Sequence, residues 1–351
     1  MKENHRKFST KFRANDRIST YFNFLELLTM CTRIVYQTNS EKFITGRGMD
    51  WNDPTSKFAV IALPRGLKQS GGNYENALTW TSKYGSVFTA MYDSASSDGL
   101  NEAGLAANAL YFAEADYGDY TKSEKPVISV GAWTQYFLDN FATVKEAVDA
   151  MREPEFVICA PALANGRAAT AHVSLSDEQG DSAILEYING ELVIHHGNQY
   201  TVMTNSPTFD EQLAINSYWK LVGGNRMLPG TINAADRFVR VDYFLESTPK
   251  FEDGAPAVAA AMSIMRSIGV PLGMEDPDHP NISATLWRSL ADHSNKTYYL
   301  ESSRQPGLFW VDLNKVDLNE GAPIVGTVVD GPAAFGDVSE SLSPMKMITW
   351  M

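Results

Sequence analysis

The sequence CTRIVY at residues 31–36, followed by GRGMDW at 46–51, decides the fold of this chain. Residues 32–36 are mainly β-branched or aromatic, residues 37–41 form a polar turn, and an apolar pattern resumes at 43–45, which is typical of a β-hairpin. Cys31 would lie at the open end of the first strand. The second strand would end at Gly46-Arg47-Gly48, where glycines allow a close turn and leave Arg47 projecting.

Cys31 would carry two reactive groups if the chain were cut before it. A cysteine thiol has a reference pKa of about 8.5, whereas an α-amine titrates at roughly 7.7 to 8.0, so the amine can act as a local base without a histidine. Taken alone, Cys31 fits a small buried residue at a strand start better than a nucleophile. Arg47 and Asp50 alone would be a surface ion pair worth about 0.2 to 1 kcal/mol.

Several motifs, in order, resemble the choloylglycine hydrolases, the family of N-terminal nucleophile hydrolases that comprises bile salt hydrolases and penicillin V acylases. That family begins with a Cys and a strand, followed by an Arg and an Asp near a Trp, as Cys31, Arg47, Asp50 and Trp51 do here. The similar later segments are DGLNEAGL (98–105), TNSP (204–207), LPG (228–230) with DRFVR (236–240), WVDLN (310–314) and EGAP (320–323). The resemblance spans about residues 31–328.

The resemblance implies amide hydrolysis with Cys31 as the nucleophile and its α-amine as the base and later the acid. Arg47 would favour the thiolate, because a cationic neighbour lowers a cysteine pKa. Asp50 would orient the protonated amine.

The resemblance also implies three roles for residues further along the chain. Tyr111 falls at the oxyanion-hole position, where its backbone or ring would contribute. Asn205 matches the essential Asn of the family, whose amide would donate to the oxyanion, and Arg237 matches the second active-site Arg, which would complete the charge network.

The substrate implied by the resemblance is a small acyl-amide. Tyr111 is typical of penicillin V acylases, where bile salt hydrolases present Asn; conjugated bile salts and acyl-homoserine lactones remain alternatives. An apolar mouth would suit a phenoxyacetyl or acyl group, although each candidate could instead be a core residue. The candidate binding residues are Met49, Trp51, Phe112, Tyr117 and Tyr120.

Blocks of strands alternate with helices along the rest of the chain. Helices are predicted at 130–141, 143–151, 233–246 and 256–268, with a capping box at Thr143-Val144-Lys145-Glu146. Strands are predicted at 87–92, 105–112, 171–175, 183–187, 191–195, 284–290, 296–301 and 307–312, with Asn189-Gly190 as a hairpin turn. These blocks indicate stacked sheets with helices outside. The resemblance specifies an α+β fold, the four-layer αββα sandwich of N-terminal nucleophile hydrolases.

The 351 residues, of which 44% are hydrophobic, suit one compact domain at 31–351. Residues 1–30 carry six Lys or Arg against three Asp or Glu. Asn23 and Glu26 interrupt the apolar core that a secretory signal needs. Residues 1–30 would be a pro-segment or the result of a start assigned too early; we expect Met30 as the initiator and a cytoplasmic enzyme, with a periplasmic one as the alternative.

The net charge is −13, and the part after residue 30 is more acidic still. This charge argues against nucleic acid and anionic membranes as partners. The six His show no metal-ligand spacing and no nucleotide-binding fingerprint is complete, so no metal and no cofactor are expected. Cys159 is expected in the core. The resemblance implies a homotetramer. A noncatalytic ligand-binding protein is the alternative of another class, if residues 1–30 keep Cys31 blocked.

Overall fold

The computed structural model describes residues 31–162, 168–223, 226–274, 283–331 and 335–351. Within these ranges, two large β-sheets are stacked face to face and helices pack on their outer faces. This arrangement confirms the predicted α+β fold with αββα layers. No helix in the described ranges is long and apolar enough to cross a membrane.

The strands of the described residues are β1 (Cys31–Gln37), β2 (Phe43–Trp51), β3 (Phe58–Leu63), β4 (Lys68–Ser70), β5 (Thr79–Thr81), β6 (Ser86–Met91), β7 (Ala95–Asn101), β8 (Ala106–Tyr111), β9 (Val127–Ser129), β10 (Val157–Cys159), β11 (Ala171–Ser176), β12 (Ser182–Ile188), β13 (Glu191–His196), β14 (Val202–Met203), β15 (Ala284–Asp292), β16 (Thr297–Ser302), β17 (Leu308–Asp312), β18 (Val325–Val328), β19 (Gly336–Asp337) and β20 (Ser343–Pro344). The helices are α1 (Val130–Asn140), α2 (Val144–Met151), α3 (Phe209–Val222), α4 (Ala234–Ser247) and α5 (Ala255–Ser267).

The two large sheets have different strand orders. One has seven strands in the order β14-β1-β2-β15-β16-β17-β19, and the other has nine in the order β13-β12-β11-β8-β7-β6-β3-β18-β20. Helices α4 and α5 pack on β1, β2 and β15, whereas α1 and α2 pack on the nine-stranded sheet. The predicted hairpin of β1 and β2 therefore lies near the centre of the molecule.

The prediction that the second strand ends at Gly46-Arg47-Gly48 is wrong, because β2 runs unbroken to Trp51. The glycines serve packing instead of a turn. A Cβ at Gly46 would lie 2.9 Å from Met265 Cγ on α5, so the missing side chain lets the helix approach the sheet.

Local turn and cap signals in the sequence are reproduced. Thr143 caps α2 by accepting from Glu146 N, although the Glu146 carboxylate accepts from Ala142 N instead of the cap residue itself. Asn189 and Gly190 both have positive φ, at 53° and 80°, as a two-residue hairpin turn requires. Helix α3 was not predicted, even though Thr208 and Glu211 form a capping box at its start.

Apolar residues of the nine-stranded sheet alternate between two cores, as the period of a strand dictates. Val60 and Val87 face the seven-stranded sheet, whereas their neighbours Ile61 and Phe88 pack beneath α1 and α2.

Polar groups are also buried between the sheets, where they hydrogen-bond across the gap. Arg33 Nη2 donates to the Leu175 carbonyl and to Ser182 Oγ at 3.0 Å each, and Tyr298 Oη donates to Asp98 Oδ2 at 2.9 Å. These bonds offset the cost of burying polar groups and fix how the two sheets face each other.

Candidate active site

Cys31 is the first residue of β1 and is only 1% exposed. Its partner across the hairpin is Met49, whose sulfur lies 4.0 Å from Cys31 Sγ. The Asp50 carbonyl oxygen lies 3.8 Å from the same atom. The thiol lines a cavity of about 100 Å³ with a mainly apolar wall.

Arg47 projects from β2 toward the sulfur of Cys31. Its Nη2 lies 3.7 Å from Cys31 Sγ and donates to the Ala109 carbonyl at 3.0 Å. The guanidinium carbon lies 4.5 Å from the ring centroid of Trp287. Among the described residues, Nε and Nη1 of Arg47 have no hydrogen-bond partner, although the side chain is 1% exposed. A buried cation thus faces the sulfur.

Asp50 lies on the face of β2 opposite to Arg47, because successive residues of a strand point to alternate faces and these two are an odd number of positions apart. It faces α4, where Arg237 Nη1 lies 3.2 Å from Asp50 Oδ2, and Thr285 donates to its other oxygen. Burial raises the pKa of the Asp50 carboxyl above its ordinary value, and the Arg237 guanidinium opposes that rise. Asp50 supports the hairpin from behind and does not line the cavity.

Arg237 binds the end of β1 that carries Cys31 directly. Its Nη1 donates to the Cys31 carbonyl at 3.1 Å and to Thr32 Oγ1, and its Nη2 donates to Asn205 Oδ1 at 3.3 Å. Burial lowers the pKa of Arg237, and Asp50 opposes that shift. The guanidinium therefore connects the strand, the carboxylate and the amide in one buried network.

Asn205 follows β14 and reaches the Cys31 nitrogen, which donates to Asn205 Oδ1. Its Nδ2 donates to the Tyr111 carbonyl at 2.6 Å. With donors from Cys31 and Arg237 at the oxygen and an acceptor at the nitrogen, the orientation of the amide is set by its partners.

Gln212 on α3 holds the loop that carries Asn205. Its Nε2 donates to the carbonyls of Asn205 and Pro207 at 2.6 Å each, and its Oε1 accepts from Thr204 Oγ1 at 2.8 Å. Sequence reasoning missed Gln212 because it missed α3; the capping box at Thr208 was the available signal.

The cavity wall contains some of the predicted residues and several others. Met49, Trp51 and Tyr111 line it together with Cys31 and Arg47. The lining also includes Met91, Tyr92 and Met351, for which no pattern in the sequence indicated a role in binding. The hydroxyl of Tyr92 accepts from Trp51 Nε1 at 2.7 Å, so the two side chains are hydrogen-bonded to each other at the cavity wall.

Three candidate binding residues lie elsewhere in the structure. Phe112 is fully buried and stacks on His172 with ring centroids 4.6 Å apart. Tyr117 packs on Trp133 and its hydroxyl donates to the Ala171 carbonyl, while Tyr120 packs on Tyr74. None of the three lines the cavity that contains Cys31. In the described ranges, no group of three or more His, Cys, Asp or Glu could hold a metal ion.

Comparisons with known proteins identify the family of this chain. The sequence profile of linear amide C-N hydrolases of the choloylglycine hydrolase family matches residues 31–326. A penicillin V acylase from Pectobacterium atrosepticum is 47% identical over 309 residues, which cover 82% of this chain and 82% of that protein. A bile salt hydrolase/transferase from Clostridium perfringens is 26% identical over 319 residues, which cover 83% of this chain and 94% of that protein.

Solved structures give the same result. A penicillin V acylase from Agrobacterium tumefaciens superposes with a TM-score of 0.83 at 46% identity, covering 92% of this chain and 99% of that one. A conjugated bile acid hydrolase from Clostridium perfringens shares the fold, with a TM-score of 0.72 at 22% identity. The superposition covers 87% of this chain and 98% of that one. Because the family profile and a relative 47% identical both match most of the sequence, the chain belongs to the choloylglycine hydrolase family of linear amide C-N hydrolases.

Proposed function

We propose that this hydrolase cleaves N-acyl amides of the penicillin V type by a cysteine N-terminal nucleophile mechanism. The main support is the position of Cys31, whose sulfur lies in an apolar cavity 3.7 Å from Arg47 Nη2 while its nitrogen donates to Asn205. Nucleophile and cation thus border one cavity, and the Asn205 amide, which does not line that cavity, contacts the nitrogen of the nucleophile itself.

In the first half of the reaction, the α-amine of a mature Cys31 takes the thiol proton and the thiolate adds to the amide carbonyl. Arg47 favours the thiolate by its charge. The oxyanion receives hydrogen bonds from the Asn205 Nδ2 proton that is not donated to the Tyr111 carbonyl, and from the backbone N–H or ring hydroxyl of Tyr111, which borders the cavity. The C–N bond then breaks, the α-amine returns the proton to the leaving nitrogen, and a thioester remains on Cys31.

In the second half, water attacks the thioester. The α-amine takes a proton from the water, the same donors hold the second oxyanion, and the C–S bond breaks to give the carboxylic acid and the free thiol. Asp50 and Arg237 act from behind the strand: Arg237 holds the Cys31 carbonyl and Asp50 balances its charge. We assign both of them positioning roles.

A phenoxyacetyl group suits the cavity better than a steroid does. The cavity of about 100 Å³ is small beside the roughly 300 to 1,000 Å³ of drug-sized sites, and one aromatic ring is a reasonable occupant. Met49 and Trp51 would contact that ring. The similarity to two penicillin V acylases at 47% and 46% identity supports the same choice. Straight acyl chains, as in acyl-homoserine lactones, are the second candidate because the wall is apolar and rich in methionine.

The mechanism requires removal of residues 1–30, because only then does Cys31 carry a free α-amine. The test is the intact mass and N-terminal sequence of protein expressed from Met1, with a penicillin V hydrolysis assay on the same sample. Activity with Cys31 at the N-terminus supports the proposal. A folded protein that retains residues before Cys31 and does not hydrolyse penicillin V contradicts it and favours a ligand-binding protein.

Two cysteine variants separate the nucleophile from the fold. Cys31→Ser should lose nearly all hydrolysis while keeping the far-ultraviolet circular dichroism of the parent. Cys159→Ser is the matched control, because Cys159 is a buried free thiol outside the cavity. Full activity in the Cys31 variant, or equal loss in both, would rule out the mechanism.

We also propose that the enzyme is a cytoplasmic homotetramer. The oligomer is supported by an apolar patch at the end of α3, where Leu221 is 86% exposed and Tyr218, Val222 and Met227 are exposed beside it. Native mass spectrometry of the parent and of Leu221→Glu tests the assembly, since a charge there should dissociate it. Cell fractionation tests the location.

A further inference from the structure

Met351 reaches the cavity from a segment without regular secondary structure, and this segment is firmly held. Trp350 is 3% exposed, packs on Phe88 with ring centroids 6.0 Å apart, and directs its Nε1 toward Gln69 Oε1 at 3.3 Å. The Met351 nitrogen donates to the Ser94 carbonyl at 3.0 Å. The position of Met351 is therefore set by the buried ring of Trp350 and by the hydrogen bond of its own nitrogen to Ser94.

The Met351 side chain packs on the first turn of α1. A Cβ built at Gly131 would lie 3.1 Å from Met351 Cγ and 3.3 Å from Ala95 Cβ. The absence of a side chain at Gly131 leaves the space that Met351 fills. Gly131, Ala95 and Met351 all line the cavity, so together they form a continuous piece of its wall.

This piece of wall is separate from the residues that surround the sulfur. Cys31 Sγ is contacted by Met49, Arg47 and the Asp50 carbonyl, whereas Met351 contacts Ser94 and the start of α1. We propose that the side chain of Met351 closes the end of the acyl pocket away from Cys31 and sets the longest acyl group that the enzyme accepts. The inference rests on the proposed function for the class of ligand.

Physical chemistry gives the expected size of the effect. Changing Met351 to Ala removes three heavy atoms from an apolar wall, which makes room for two or three methylene groups. Each buried methylene contributes about 0.8 kcal/mol, or about fourfold in affinity. Two additional methylenes should therefore strengthen binding about fifteenfold in the variant, whereas the parent should gain little from them because its pocket ends at Met351.

The experiment measures binding of the product acids, which needs no turnover. Dissociation constants for phenoxyacetate and for straight-chain acids from butanoate to dodecanoate are measured by calorimetry on the parent, Met351→Ala, Met351→Trp and Met347→Ala. Met347 is the matched control, because it lies four residues earlier, is 38% exposed and does not line the cavity. Circular dichroism verifies that each variant is folded.

We expect the chain length of tightest binding to increase by two or three carbons in Met351→Ala, to decrease in Met351→Trp, and to stay unchanged in Met347→Ala. The inference would be overturned if the parent and Met351→Ala bound the same chain length most tightly. It would also be overturned if Met347→Ala changed the preferred chain length as much as Met351→Ala does. Penicillin V hydrolysis is assayed separately on each sample. A shifted binding optimum without any hydrolysis would refute the proposed reaction while leaving the role of Met351 intact.

Discussion

Arg237 Nη1 lies 3.2 Å from Asp50 Oδ2, and neither side chain is more than 3% exposed. The same guanidinium donates to the Cys31 carbonyl and to Asn205 Oδ1. This ion pair lies on the side of the hairpin away from the cavity, so the role that we propose for it is to hold Cys31 and Asn205 in position. Breaking one side of such a pair leaves the other charge buried and uncompensated.

We predict that Asp50→Asn lowers the free energy of unfolding by about 3 to 5 kcal/mol, because Arg237 then has no counter-charge. Arg237→Met should lower it similarly, and the double variant should recover part of the loss. Denaturant unfolding at pH 7 measures all three. Arg240→Met is the control on the same helix, since Arg240 donates to the carbonyls of Pro229 and Thr231 and forms no ion pair with Asp50 among the described residues. Equal stability of Asp50→Asn and the parent would contradict this account.

Gln212 is predicted to act through Asn205. Gln212→Leu keeps the volume but leaves the carbonyls of Asn205 and Pro207 and the Thr204 hydroxyl without this partner. Because the loop would then position the side-chain amide of Asn205 less accurately, kcat should fall about 10- to 100-fold with little change in KM.

A second buried polar residue on α3 provides the control for this prediction. Asn216 donates to Asp242 Oδ2, a contact between α3 and α4 that does not involve the loop of Asn205. Asn216→Leu should lower stability without lowering kcat in the folded protein. If both variants lose kcat equally, the effect belongs to the helix as a whole and the specific role of Gln212 is refuted.

Tyr92 is predicted to contribute to substrate binding despite a strained backbone. Tyr92 and Asp93 form the turn between β6 and β7 with φ of 55° and 51°, a region that costs about 1 to 3 kcal/mol for residues other than glycine. Tyr92→Phe removes the hydroxyl that accepts from Trp51 Nε1 and should raise KM several-fold. Asp93→Gly should instead stabilise the protein by about 1 kcal/mol without changing KM. Steady-state kinetics and thermal unfolding check both, and an unchanged KM in Tyr92→Phe would exclude this binding role.

The parts of the fold that were predictable depend on short-range signals. The β1–β2 hairpin, the Asn189-Gly190 turn and the cap at Thr143 each require only a few neighbouring residues. The structure brings Cys31 and Arg47 together because the hairpin register places both side chains on the face between the sheets.

The parts that were not predictable depend on packing between distant segments. Phe112 carries the same apolar character in a pocket or in a core, and only the position of His172 shows that it stacks inside. Gly46 predicts a turn when only its chain neighbours are considered, whereas in the structure it provides room for the close approach of α5. Met351 lies far from Cys31 in sequence, and nothing in its neighbourhood of the chain indicates that it borders the same cavity.

Asp139 gives a prediction about pH and stability. Its carboxylate accepts from Trp80 Nε1 at 2.7 Å and from Gln135 Nε2 at 2.8 Å, but burial still raises its pKa to about 7. In the unfolded chain an Asp titrates near 3.9, so between about pH 4 and 7 the unfolded state loses a proton that the folded state keeps. The Asp139 contribution therefore makes the protein less stable as pH rises from about 4 to about 7. Above about pH 7 this destabilisation stays constant.

Asp139→Asn should remove this contribution. The stability of the variant relative to the parent should increase by up to about 4 kcal/mol between pH 4 and pH 8. His293 acts in the opposite direction, because burial lowers its pKa to about 4 and the unfolded state takes up the extra proton below about pH 6.5. The difference between the two proteins isolates Asp139, since both contain His293. Urea unfolding at unit intervals of pH measures this difference, and a difference that does not change with pH would show that Asp139 is ionised in the folded protein.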